Sequence, residues 1–200
     1  MKITVYGSGS AKIDEKYKKA GFELGKALAK RGHTLVFGAG GIGLMGAVAR
    51  GFKSEGAYVH GVIPHFFEEN GYENVFYECD KITRTETMAE RKAIMEDEAD
   101  VFVITPGGIG TYEEFFQAIT LKQLGRHQKA IAIYNSHGYF DKLDALMNDA
   151  IEKGFVNKEC EKLAPMFNDI DSLIHYIENY TTDDIEWTLL KKTEEEEQDK

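Results

Sequence analysis

Val101-Phe-Val-Ile-Thr-Pro-Gly-Gly-Ile-Gly-Thr-Tyr-Glu-Glu-Phe115 decides the fold. Val101 to Ile104 is an apolar run that reads as a fully buried strand, and Tyr112, Phe115, Phe116, Ile119 and Leu124 follow at helical spacing. Gly107, Gly108 and Gly110 therefore fall on a strand-to-helix turn, where glycines let the backbone approach a ligand closely. The first-turn amides of the helix have no intrahelical partners and, with the helix dipole, form a site for phosphate or another anion. Glu113 and Glu114 come directly after them, which suggests chemistry on a phosphorylated small molecule. Thr111 to Glu114 also fits the capping-box pattern of an ordinary helix start. This fragment alone leaves both readings open.

The same unit recurs through the chain. Ile3 to Tyr6 is a β-rich run ending in Gly7-Ser-Gly-Ser10, after which Tyr17, Ala20, Leu24, Ala27 and Leu28 keep helical spacing up to Arg31-Gly32. Leu35 to Phe37 leads into a glycine-rich loop, Gly38 to Gly46, and another helix. Gly38, Gly40 and Gly43 satisfy a dinucleotide fingerprint formally, but the next strand, Tyr58 to Ile63, ends in Pro64 and His65 where the fingerprint wants a ribose-binding acid. The loop therefore reads as one for phosphate approach or close packing, and an NAD-dependent oxidoreductase is not expected. Phe66 to Gly71 reads as a loop or short helix, and Asn74 to Cys79 as a fourth strand. Thr83 to Glu98 reads as a helix with Arg84, Met88, Arg91 and Met95 on one face. An arginine between two methionines is either a snorkelling side chain or one at a pocket mouth, where its planar fork binds phosphate, ribose or carboxylate. Lys129 to Tyr134 is a further strand, Tyr139 to Lys153 a helix, Leu163 to Phe167 a short strand and Ile170 to Tyr180 a last helix.

Strands alternating with helices imply an α/β fold: a Rossmann-like doubly wound sheet, mostly parallel, with helices on both faces. Its glycine turns, Gly7 to Ser10, Gly38 to Gly46 and Pro106 to Thr111, all fall at strand carboxyl ends, where ligands of such folds lie.

Two hundred residues, 42% of them apolar, suffice for one core, so a single nucleotide-binding domain over 1–180 is expected, followed by an acidic, disordered tail over 181–200. From Asp183 onward, eight acidic and three basic residues supply -5 of the formal charge of -10. That balance argues against a nucleic-acid partner, while a small anionic ligand needs only local donors. No signal peptide or membrane-length apolar run is present, so a cytoplasmic protein without a membrane partner is expected. Cys79 and Cys160 are isolated, and the scattered histidines, His60 and His65 included, show no metal-ligand spacing, so no metal is expected.

Pro106 to Glu114 matches the PGGxGTxxE signature of the LOG ("lonely guy") family of cytokinin riboside 5'-monophosphate phosphoribohydrolases. Gly43-Leu-Met-Gly46 matches its GLMG, and Glu90-Arg-Lys92 the end of its MHxRK segment. The chain resembles this family from about Ile3 to Ile177. The resemblance implies hydrolysis of a nucleoside 5'-monophosphate, AMP or a cytokinin riboside monophosphate, to free base and ribose 5-phosphate, without metal or cofactor and as a homodimer. It implies that Arg91 and Glu114 are the catalytic pair and that Lys92, Gly107, Gly108, Ile109, Gly110, Thr111, Glu113 and Thr120 contact substrate. Gly7, Ser8 and Met88 are further candidates for substrate binding. Chains of this kind also carry the label lysine decarboxylase, but no lysine here stands out as a pyridoxal phosphate anchor.

The chemistry follows on its own terms. Breaking a ribosyl bond builds positive charge on the sugar, which a carboxylate such as Glu114 stabilises while water attacks; alternatively Glu114 holds the ribose hydroxyls. The amides from Gly108 to Thr111 would grip the 5'-phosphate, and Arg91 would position substrate or Glu114. Ala39 replaces the middle glycine of the family's GGG run and Ala89 its histidine, the latter on the segment expected to face the base. The competing class is a non-catalytic carrier of a nucleotide or a molybdopterin-type cofactor.

Overall fold

The computed structural model describes residues 1–71, 74–183, 185, 187 and 190. Among these, β1 (Lys2–Tyr6), β2 (Thr34–Phe37), β3 (Val59–Pro64), β4 (Lys81–Thr85), β5 (Val101–Ile104), β6 (Ala130–Tyr134) and β7 (Met166–Phe167) form one sheet, ordered β4-β3-β2-β1-β5-β6-β7. Every neighbouring pair is parallel. The helices are α1 (Glu15–Lys30), α2 (Gly43–Ser54), α3 (His65–Glu69), α4 (Met88–Glu98), α5 (Ile109–Gln123), α6 (Asp141–Glu152) and α7 (Ile170–Asn179).

Alternation along each strand sends side chains into two cores. Ile3, Val5, Leu35, Phe37 and Val103 pack with Leu24 and Leu28 of α1, Val48 and Phe52 of α2, and Leu173 of α7. Tyr6, Val36, Phe102 and Ile104 pack on the other face with Met95 of α4, Phe115 and Ile119 of α5, and Leu143 of α6. Helices thus cover both faces of a parallel sheet, and the four residues of β5 are all buried. Ile185, Trp187 and Leu190 join the second core, so packing continues past residue 180, while residues 191–200 of the acidic segment lie outside the described residues.

α1 and α2 meet backbone to backbone. A Cβ on Gly25 would lie 2.2 Å from the Val48 carbonyl oxygen, and one on Gly51 2.2 Å from that of Phe22. This close crossing brings the loops after β1 and β2 together.

Two expected elements are corrected. Asn74 to Cys79 is not a strand; Val75 makes only an isolated antiparallel bridge to Gly40. The fourth strand is instead Lys81–Thr85, the start of the expected helix, and α4 begins only after Thr87. β4 lies at the edge of the sheet, half exposed and largely polar, so it carries no apolar run to mark it. Arg84 therefore does not share the helix face of Met88 and Arg91; it stands on β4 and forks onto Glu68 of α3 at 2.6 and 3.0 Å. Likewise Leu163 belongs to a 3₁₀ turn, Lys158–Leu163, and only Met166–Phe167 pairs as a strand.

Candidate active site

β1 lies between β2 and β5, and the strand order reverses there. At such a point the loops leaving neighbouring strands part and open a crevice at the carboxyl end of the sheet. The two sides are fixed to each other. Thr105 donates from its amide and its hydroxyl to the Tyr6 carbonyl, both at 2.8 Å, and the Ser8 amide donates to the Pro106 carbonyl at 3.0 Å. The Met45 amide of α2 donates to the Ser8 carbonyl, also at 3.0 Å.

The glycine turn after β5 delivers α5 with a bare start. Gly108 is its N-cap, and no side chain caps it. Thr111 is thus the third helical residue and Glu114 lies deeper, so the capping box expected at Thr111–Glu114 is not formed. A capping box is built instead at Thr87–Glu90, at the start of α4. The Thr111 side chain folds over Gly107, where a Cβ would lie 2.0 Å from its hydroxyl oxygen. A Cβ on Gly108 or Gly110 would meet nothing within 4 Å, so the uncapped first turn of α5, whose amides lack intrahelical partners, has open space around it.

Glu114 turns inward toward α4. Its Oε1 meets Arg91 Nη1 at 3.4 Å, and both side chains are at least nine-tenths buried. Arg91 Nε donates to the Val62 carbonyl of β3 at 3.2 Å, so sheet and helix together set the guanidinium. Burial lifts the Glu114 carboxyl from 4.5 to about 7, against the pull of Arg91 and with Glu113 adding to the rise. Glu113, one residue before, is exposed and pairs with Lys92 at 2.5 Å; Lys92 also donates to Gln117 at 2.7 Å.

A cleft of about 310 Å3 opens over this pair. Of the expected residues, Gly7, Ser8, Met88, Arg91, Gly108, Gly110, Thr111, Glu113 and Glu114 line it. Lys92 stands beside it, bound to Glu113. Gly107 lines an adjoining cleft of about 260 Å3, and its carbonyl accepts the Tyr139 hydroxyl at 2.5 Å. Ile109 is 89% exposed and lines neither. Thr120 is exposed on α5 and lines neither cleft of the single chain, nine residues of helix and about 13 Å of rise beyond Thr111.

Met45 and Phe67 line the cleft and were not singled out from sequence. Met45 follows Gly43 at the start of α2, which is a usable signal; Phe67 lies in a five-residue helix with none. The glycines of the second loop serve protein contacts, as the close-packing reading expected. A Cβ on Gly43 would lie 2.5 Å from the Ser8 carbonyl oxygen, and one on Gly46 2.2 Å from that of Gly41. His60 is spent on Glu98 and Thr83 at 3.0 and 2.8 Å. Among the described residues no helix is long and apolar enough to cross a membrane.

The family model for a possible lysine decarboxylase matches residues 45–177. A cytokinin riboside 5'-monophosphate phosphoribohydrolase of Mycobacterium tuberculosis is 39% identical over 172 residues, which cover 86% of this chain and 90% of that protein. The enzyme of the same name, LOG1, from Arabidopsis thaliana is 34% identical over 179 residues, 90% of this chain and 83% of that protein. Among solved structures, the molybdenum cofactor carrier protein of Chlamydomonas reinhardtii superposes with a TM-score of 0.63 at 22% identity, covering 96% of this chain and 98% of its own. The molybdenum cofactor binding protein of Rippkaea orientalis does so with a TM-score of 0.62 at 18% identity, covering 88% and 93%. At those identities the two structures share the fold.

Proposed function

Because the chain belongs to the LOG family of cytokinin riboside 5'-monophosphate phosphoribohydrolases, we propose that it hydrolyses the N-glycosidic bond of a nucleoside 5'-monophosphate to free base and ribose 5-phosphate. One observation carries the reading to this chain: the buried Arg91–Glu114 pair faces the same cleft as the uncapped first turn of α5.

The 5'-phosphate sits on the amides from Gly108 to Thr111, where the helix dipole and free N–H groups favour it. That anchors the ribose beside Glu114. As the bond from C1' to the base nitrogen breaks, its electron pair leaves with the base and the sugar becomes cationic. The Glu114 carboxylate stabilises that charge in a site shielded from water, where one carboxylate acts far more strongly than in bulk solvent. Water adds its oxygen to C1', one of its protons going to the base and the other staying on the new hydroxyl. Arg91, permanently charged, holds Glu114 and the sugar rather than moving a proton. Met45, Met88 and Phe67 give the base an apolar wall. Decarboxylation of lysine finds no support in this cleft: among the described residues none of its lining groups is a lysine.

We further place the protein in the cytoplasm as a homodimer. The free thiols of Cys79 and Cys160 suit a reducing compartment, and Ile109 and Phe116 leave an exposed apolar strip along α5 for a second copy. Incubation with a panel of nucleoside 5'-monophosphates should release free base and ribose 5-phosphate, and Glu114→Gln or Arg91→Ala should abolish the release while the circular dichroism spectrum stays native. Full activity in either variant removes the assignment, and binding across the panel without turnover replaces it with a carrier.

A further inference from the structure

The adjoining cleft of about 260 Å3 is left unused by this reaction. It lies between the segment from Ser8 to Tyr17, after β1, and the turn after β5 with Tyr139 after β6, and its wall is aromatic. Tyr17, in the first turn of α1, and Tyr139, after β6, meet edge to face with centroids 5.8 Å apart and planes at 81°. Tyr139 is held by its hydroxyl on the Gly107 carbonyl and meets Phe140 edge to face, while Tyr17 meets His137 edge to face at 5.6 Å and has the Lys16 ammonium 5.1 Å from its centroid. Asp14 stands at the mouth, its Oδ1 accepting the Lys16 amide at 3.0 Å and its second oxygen engaged by no bond among the described residues. Ser8 and Gly108 belong to both clefts. A phosphate on the α5 amides is therefore at the boundary between them.

We propose that the second cleft takes a nucleoside joined through the substrate's own 5'-phosphate, so that the protein binds a dinucleotide with one base in the Arg91–Glu114 cleft and the other against Tyr17 and Tyr139. The inference rests on the nucleotide reading of the first cleft and adds to it. Doubly wound folds place two nucleosides on opposite sides of the point where strand order reverses, with the linking phosphate at a helix N-terminus between them, and the two clefts have that arrangement. Aromatic rings accept any base by stacking, and the free oxygen of Asp14 accepts a ribose hydroxyl.

The test is calorimetric titration with AMP and with adenylyl-(3'→5')-adenosine, in a Glu114→Gln background that stops hydrolysis, or Arg91→Ala if that variant does not fold. The dinucleotide should bind about tenfold more tightly than AMP, the gain of one stacked base, and Tyr17→Ala should remove that gain while AMP affinity changes less than twofold. Equal affinity for both ligands, an equal loss for both in Tyr17→Ala, or exclusion of the dinucleotide while AMP binds overturns the second cleft alone. Failure of both ligands to bind overturns the nucleotide reading of the first cleft as well.

Discussion

Gly38 and Arg91 share one space: a Cβ on residue 38 would lie 1.8 Å from Arg91 Nη2 and 3.0 Å from its Cζ. The guanidinium can reach Glu114 only because residue 38 has no side chain. Gly38→Ala should therefore act as a catalytic mutation from a residue with no reactive group. Displacing a positioning side chain by about 1 Å costs on the order of 100-fold, so kcat/KM should fall by about that factor while overpacking costs about 1–3 kcal/mol of stability. Steady-state kinetics beside urea unfolding will show it, and near-native activity in a folded variant argues that Arg91 is not positioned by this contact.

The raised Glu114 carboxyl ties stability to pH. Its folded value of about 7 lies above the ordinary 4.5, so between those limits the native protein keeps a proton that the unfolded chain releases. Stability from this group is thus present at low pH and lost as pH rises through about 7, by at most about 3 kcal/mol. Urea unfolding of the wild type and Glu114→Gln at pH 5 and pH 8 isolates the group; the wild type should lose more across that span. Because the proposed role needs the carboxylate, kcat/KM should climb with an apparent pKa near 7 in the free enzyme. A profile flat from pH 5.5 to 8.5 would sink that role.

Ala39 and Gly61 make a second exclusive pair. A Cβ on Gly61 would lie 2.8 Å from that of Ala39 and 3.1 Å from Cys79 Sγ, and Ala39 itself holds φ at 60°. Gly61→Ala should destabilise by about 1–3 kcal/mol. Ala39→Gly should be near neutral, since relief of about 1–2 kcal/mol of left-handed strain offsets a lost buried methyl and added chain entropy. The double variant should recover at least about 1 kcal/mol over Gly61→Ala, read as a coupling energy in a mutant cycle.

Lys122 is fully buried, its ammonium on the Leu163 carbonyl at 2.7 Å and 4.7 Å from the centre of the Tyr180 ring. Burial lowers it from 10.5 to about 7, so in that window the unfolded chain binds a proton that the native state refuses. Its cost is greatest below pH 7 and fades as pH rises toward 10.5. Lys122→Met should therefore gain more, or lose less, at pH 6 than at pH 9.5, by on the order of 2 kcal/mol after relaxation of the site is allowed for. Equal effects at the two pH values would show that the lysine stays charged in the fold.

The fold and half of the site were legible from sequence for a common reason: buried strands and glycine turns write themselves locally. β5 and its turn needed no partner to be read, nor did the opposition of Arg91 and Met95 on one face. Where the local signal was polar, it misled. β4 is an edge strand whose Thr83 and Arg84 fit helical spacing as well as strand alternation, and only the Thr87 cap separates the two elements. The box pattern at Thr111 was real as a pattern, but the Gly107–Gly108 turn starts the helix three residues earlier and spends Glu114 on Arg91. Phe67 was hidden because its place over the cleft depends on Glu68 reaching Arg84 from another element.

β1 is hydrogen-bonded to β2 on one side and to β5 on the other, and the Lys2 amide reaches the Asp100 carboxylate across 98 residues of chain. The first three strands and their helices can assemble as they leave the ribosome, yet the anion grip and Glu114 arrive only with α5. Closing so long a loop is entropically slow compared with the local pairings that precede it. Catalytic competence is therefore acquired late: a nascent or truncated chain that stops before residue 106 has the first two glycine loops and Arg91 but neither the turn that starts α5 nor Glu114.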